Sequence, residues 1–174
     1  MTPISHAPKR PESVVIRACE PADLPGVARL ATRLVREHHA MDPARFMIFD
    51  NIEEGYAAYL GGELQRKNAI VLVAASGDGV VGYAYGRIEP RDWNALRERC
   101  GALHDVYVDA GARQLGIGAS LIEEMVKRLV ALGAPRVVLM TAVQNAGAQR
   151  LFKRLGFRIT MLEMTRERNP ETGG

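Results

Sequence analysis

The stretch Val106-Tyr107-Val108-Asp109-Ala110-Gly111-Ala112-Arg113-Gln114-Leu115-Gly116-Ile117-Gly118-Ala119-Ser120 constrains this chain more than any other. His104 to Val108 is apolar, aromatic and β-branched, the composition of a strand. Ile117, Leu121, Ile122, Met125, Val126 and Leu129 recur at helical spacing, and Gly133-Ala134-Pro135 stops the run. The loop between them carries Arg113, Gly116 and Gly118. Glycine removes the Cβ and lets a ligand come close to the backbone. The first turn of a helix leaves N–H groups without partners, and its dipole favours negative charge. A strand, a bare loop and a helix start thus predict a cradle for phosphate.

Three phosphate-binding patterns can be compared with it. The P-loop requires lysine after its second glycine, and Ile117 follows Gly116 here. The dinucleotide fingerprint needs a third small residue and an acid about 20 residues on. Leu121 and the apolar Val137 to Leu139 stand at those places. The third pattern, Arg/Gln-x-x-Gly-x-Gly/Ala after a Val-x-Val strand, is met at every position of Arg113-Gln114-Leu115-Gly116-Ile117-Gly118. Taken alone, that hexapeptide also suits an ordinary glycine-bearing turn.

At 174 residues and 47% hydrophobic, the chain is long enough for one core and short for two. The net charge of +3 is mild, and its basic residues are interleaved with acids. No basic stripe with interleaved aromatics argues for nucleic acid. Cys19 and Cys100 lie far apart beside small or apolar residues, which predicts reduced thiols and a cytoplasmic setting. No signal peptide and no membrane span are read.

Residues 1–13 read as a loose N-terminal tail, 14–165 as a single domain, and 166–174 as a loose C-terminal tail. Val14 to Arg17 predicts a first strand. Pro21 and Asp23 favour the start of a helix whose apolar face is Leu24, Val27, Ala28, Ala31, Leu34 and Val35. His38 and His39 lie at its polar end; with no third ligand nearby, no metal site is read. Asn51 to Lys67 predicts a second helix with Ile52, Tyr56, Tyr59 and Leu64 inward, weakened at Gly61-Gly62. Ala69 to Ala75 and Val80 to Glu89 form a hairpin across a Ser-Gly-Asp-Gly turn. Residues 90–101 are irregular. After the central strand and helix come a strand at Arg136 to Thr141, a helix at Asn145 to Leu155 closed by Gly156, and a last strand at Phe157 to Thr165.

That element order carries a second motif. In Asn145-Ala146-Gly147-Ala148-Gln149-Arg150-Leu151-Phe152-Lys153-Arg154-Leu155-Gly156-Phe157 an asparagine opens the last helix and Leu-Gly-Phe closes it. Together the two motifs resemble the GNAT N-acetyltransferase superfamily over roughly Val14 to Thr165. The resemblance implies an α+β fold: a mixed, mostly antiparallel twisted sheet flanked by helices on both faces, with a splayed central strand pair. It implies acetyl-CoA as co-substrate, and a homodimer. The pantetheine arm would lie in the splay and pair with the backbone of Val106, Tyr107 and Val108. The loop Gln114, Leu115, Gly116, Ile117, Gly118 and Ala119, headed by Arg113, would meet the pyrophosphate. Asn145 and Phe152 would flank the arm, and Arg150, Lys153 and Arg154 are candidates for the nucleotide's phosphate.

The implied reaction is transfer of an acetyl group to a primary amine, of a small molecule or a peptide, by direct attack in a ternary complex. An alkyl amine is protonated at neutral pH, so a base must take a proton before attack. His104 matches the histidine site of the arylalkylamine acetyltransferases, and Asp105 is adjacent. Strict alternation points only one of them into the gap, and a bulge can swap them. Two departures stand out. Phe152 occupies the place, seven residues after Asn145, where the superfamily often has an acidic tyrosine. Met140 replaces the glutamate of enzymes acting on ribosomal-protein N-termini. These departures suit the alternative of a non-catalytic acyl-CoA-binding module. Tyr83 and Tyr107 are other candidate acids. Arg45, Phe46, Glu89, Asp92 and Trp93 are candidate acceptor-site residues.

Overall fold

The first apolar run forms β1, Val15–Ala18, and a bidentate ion pair fixes the turn that follows it. Arg17 Nη1 and Nη2 donate to the two Asp23 oxygens at 2.6 and 2.9 Å, and the Glu20 N–H donates to Asp23 at 2.8 Å. Pro21–Asp23 is a short 3-10 turn, and α1 runs from Leu24–Met41. Then follow α2 (Ile52–Glu63), β2 (Ala69–Ser76), β3 (Gly79–Glu89), β4 (Cys100–Val108), α3 (Ile117–Ala131), β5 (Val137–Leu139) and α4 (Ala146–Arg154). This computed structural model describes residues 13–77 and 79–168. Apart from Ser13 and residues 166–168, the two expected tails lie outside the described residues.

One sheet of five strands has the order β1-β2-β3-β4-β5. The first three pairings are antiparallel, and β4 to β5, joined through α3, is parallel. Helices cover both faces, as the expected fold requires. Val27, Leu30 and Ala31 of α1 and Leu60 of α2 pack with Val71, Val73, Tyr83, Tyr85 and Tyr107 on one face. Ile117, Leu121, Ile122, Met125 and Leu129 of α3, with Phe152 of α4, pack with Leu72, Ala84 and Leu103 on the other.

Three expectations are corrected. Phe157 to Thr165 is not a strand; the described chain beyond α4 has no regular structure. Phe157 docks edge-on against Phe152 at 6.0 Å, but Ile159, Met161, Leu162 and Met164 are exposed. β5 has only three residues, so a returning strand has almost no edge to pair with. α2 ends at Glu63 rather than Lys67 yet passes through Gly61-Gly62. Tyr59 is exposed, while Tyr56 and Leu64 pack against the core as expected; the buried positions of α2 are Ile52, Leu60 and Glu63.

β3 is packed tightly against β4 and α3 at Gly86. A Cβ there would lie 2.7 Å from the Ala102 carbonyl oxygen and 2.9 Å from Met125 Sδ. The backbone neighbour cannot yield without disturbing the β3–β4 ladder. Gly86→Ala is expected to cost about 1–3 kcal/mol by overpacking, read as a lower urea midpoint at unchanged slope.

Candidate active site

A bulge in β4 builds the site. Tyr85 pairs with Asp105 and Gly86 with Leu103, so His104 is the extra residue. Leu103 and Val106 join the α3-side core. His104 and Asp105 both turn to the α1–α2 face: the His104 ring stacks on Tyr85 at 5.3 Å, and Tyr83 Oη donates to Asp105 Oδ2 at 3.1 Å. Both expected catalytic candidates therefore reach the same face.

His104 keeps 34% of its side chain open, and its Nε2 lies 2.9 Å from Glu89 Oε1. Arg87 Nε donates to the same oxygen at 2.7 Å. Burial pushes the Glu89 carboxyl up, but Arg87 and His104 outweigh it and hold it below its ordinary value. Glu63 stands behind them, only 3% exposed and the one buried charged residue among those described. It accepts from Tyr85 Oη at 2.6 Å and pairs with Arg66 at 2.8 Å and Arg87 at 3.7 Å. Tyr59 Oη lies 3.0 Å from Tyr85 Oη.

Burial pushes the Asp105 carboxyl up, against Tyr83, His104 and His38, which pull it down. An acid whose folded pKa is raised contributes most to stability below its unfolded value and loses that contribution as pH rises through the folded value. Asp105→Asn is therefore expected to raise the melting temperature at pH 7. The gain should vanish in melts run below about pH 3.9, where the unfolded carboxyl is also protonated.

The two tyrosines considered as acids hold their protons tightly. Burial drives the Tyr83 hydroxyl far up, with Asp105 adding to it. Burial and the hydrogen bond to Glu37, at 2.5 Å, push Tyr107 up to about 12. Neither is suited to protonate a thiolate near neutrality.

β4 meets β5 only over Gly101–Leu103, so His104 to Val108 has no strand on that side. This is the expected splay. At its end Gly116 takes a left-handed φ of 77° and opens α3, with no side chain capping the helix. A Cβ at Gly116 would meet nothing within 4 Å, so the protein leaves that space open. Gln114 is also left-handed, at φ 69°. Arg113 is not free at the loop's head: Nε donates to the Val108 carbonyl at 3.0 Å, Nη2 to Glu37 at 3.0 and 3.2 Å, and its cation lies 5.2 Å above the Tyr107 ring.

The remaining candidates divide. Asn145 Oδ1 caps α4 by accepting from the Ala148 N–H at 3.1 Å. Phe152 is buried in the α3-side core. Phe46 meets His38 edge-on at 5.0 Å, and Arg45 pairs with Glu163. His38 and His39 each bond a backbone carbonyl through Nδ1, of Leu34 and Phe46. Asp92 bridges to Arg97, and Trp93, 74% exposed, lies against the Arg91 guanidinium. Glu89 is drawn into the site as the partner of His104. Sequence reasoning passed over Glu63, Tyr85 and Arg87. Alternation along β3 puts Tyr83, Tyr85, Arg87 and Glu89 on one face, and Glu63 is a charge within the inward stripe of α2; both were available signals.

A glycine-opened helix start beside a splayed strand, on this sheet, is the arrangement that the resemblance implied. Residues 30–157 match the model of the acetyltransferase (GNAT) family, and the chain belongs to that family of N-acetyltransferases. It is similar to the L-methionine sulfoximine/L-methionine sulfone acetyltransferase of Pseudomonas paraeruginosa: 30% identical over 151 residues, 85% of this chain and 82% of the relative. An aminoglycoside N-acetyltransferase solved in complex with CoA aligns at 19% identity and a TM-score of 0.70, covering 93% of this chain and 98% of the other. Glucosamine-6-phosphate N-acetyltransferase from Arabidopsis thaliana aligns at 17% and 0.67, covering 91% and 100%. At these identities the two solved structures share the fold. No described helix is long and apolar enough to cross a membrane.

Proposed function

We propose that the chain moves an acetyl group from acetyl-CoA to a primary amine of a small molecule, by direct attack within a ternary complex. The observation that carries this reading is the unpaired edge of His104 to Val108, with the uncapped start of α3 at its end and the His104–Glu89 pair on the adjoining α1–α2 face of the sheet. The open space at Gly116 and the N–H groups of Ile117, Gly118 and Ala119 suit a pyrophosphate, and the strand backbone suits the pantetheine arm. Asn145, with its oxygen used in the cap, has its amide nitrogen for the same arm. Acetyl-CoA supplies the activated acyl group; the chain's own residues orient it and handle protons.

His104 accepts the amine's proton, with Asp105 the second candidate base. A backbone N–H of Val106 to Val108 stabilises the thioester oxyanion. Arg45 and Phe46, on the loop after α1, line the acceptor side, and Trp93 forms its outer rim. The Pseudomonas relative acts on small amino-acid analogues by its name, and that favours a small molecule over a peptide. A cytoplasmic, reducing setting belongs to the same proposal, supported by the buried free thiols Cys19 and Cys100. So does a homodimer, supported by the exposed apolar segment after α4.

Thiol release from acetyl-CoA against a panel of amino-acid, aminosugar and peptide amines tests the proposal. Release with at least one small amine supports it. Tight acetyl-CoA binding with no release across the panel favours the non-catalytic module, which the absence of a tyrosine at position 152 makes the second reading. The thiolate is stable enough, with a model thiol pKa of about 8.5, to depart without an acid. Phe152→Tyr is therefore expected to change kcat less than about threefold at pH 7, since the new hydroxyl enters a buried apolar setting. A tenfold gain would show that the site lacked an acid.

A further inference from the structure

We infer that Glu89 is a positioning residue for His104, holding the imidazole so that it takes the acceptor amine's proton at Nδ1. This rests on the acetyl-transfer reading above. An ionised carboxylate only accepts hydrogen bonds, so the 2.9 Å contact requires a hydrogen on His104 Nε2. In the neutral ring that leaves the lone pair on Nδ1. Glu89 is itself held by Arg87 Nε at 2.7 Å and Nη2 at 3.4 Å. Arg87 is backed by buried Glu63.

The ring plane is fixed separately. Tyr85 stacks on His104 with 24° between the planes, and its hydroxyl is anchored by Glu63 and Tyr59. The titratable and charged groups around the ring are thus Tyr85, Arg87 and Glu89 from β3, Glu63 and Tyr59 from α2, and Asp105 from β4, with His38 of α1 facing Asp105. Direction comes from Glu89 and orientation from Tyr85, and both trace back to the one buried acid on α2.

The substrate ammonium gives one proton to Nδ1, making an imidazolium whose Nε2–H stays on Glu89. The freed amine lone pair attacks the thioester carbonyl carbon, the C–N bond forms and the C–S bond breaks with its electron pair on sulfur. The second proton leaves the nitrogen for water as the amide forms, and the imidazolium's Nδ1 proton passes to the thiolate.

The test is long-range proton–nitrogen NMR of histidine-labelled free protein, at a pH where the ring is neutral. The chain has four histidines, so His104→Ala assigns the signal. Wild type should show the Nε2–H form, Glu89→Ala a mixture of tautomers, and Glu89→Asp a partial return. Glu89→Ala should also lower kcat roughly 10–100-fold, less than the roughly 10²–10⁴-fold that loss of the general base itself costs, with the amine KM changed less than about threefold. An Nδ1–H form in wild type, or an unchanged kcat in Glu89→Ala, overturns the inference while acetyl transfer stands. A wild type with the Nε2–H form that releases no thiol with any amine overturns the transfer reading, and with it the catalytic role of the pair.

Discussion

His104→Ala should lower kcat/KM on an accepted amine by roughly 10²–10⁴-fold and remove the acidic limb of the pH–rate profile. The size follows from the place of the ring. It lies on the α1–α2 face where β4 loses its β5 neighbour, stacked on Tyr85 and bonded to Glu89 of β3, and keeps solvent access with a carboxylate behind it. Asp105 shares the face but is half-buried, accepts from Tyr83 and is pushed upward by burial. If Asp105 were the base, Asp105→Asn would abolish the limb and His104→Ala would leave it. The kcat/KM profiles of the two variants, measured on one amine, decide between them.

Gly116→Asp should weaken acetyl-CoA binding by roughly 100-fold or more while the fold persists. The Cβ enters open space, so no core contact is lost. The left-handed φ of 77° is strained for an L residue, by about 1–2 kcal/mol. The new carboxylate stands at the uncapped start of α3, where the pyrophosphate would be, and like charges in an interface cost several kcal/mol. Gly116→Asn carries the same shape without the charge and should lose much less. Calorimetry with acetyl-CoA reads both, and an unchanged affinity in Gly116→Asp would remove the loop from the site.

Local chemistry made most of the fold readable. The stripe Ile117, Leu121, Ile122, Met125 and Leu129 is buried, and β2 and β3 pair as the turn signal requires. The last strand failed because an apolar run does not say whether it has a partner: Ile159 to Met164 has strand composition, but β5 is too short to receive it. The loop and the His104–Asp105 pair were legible because their residue types are uncommon in that local setting. The bulge that turns both to one face was open in advance, since it is a property of the β3–β4 register rather than of either residue. Arg113 and Glu37 lie 76 residues apart, and Glu63 meets Tyr85 across α2 and β3; such pairs depend on packing and leave no local pattern.

The proposed reaction is acetyl transfer beside β4 with His104 as its base. Thiol release by wild type and by His104→Ala, on the same small amine at saturating acetyl-CoA, tests it most directly. The expected result is turnover in wild type and a loss of at least about 100-fold in the variant, with acetyl-CoA affinity unchanged between the two. Equal turnover in the two proteins, or no release by wild type with any amine of the panel, would contradict it.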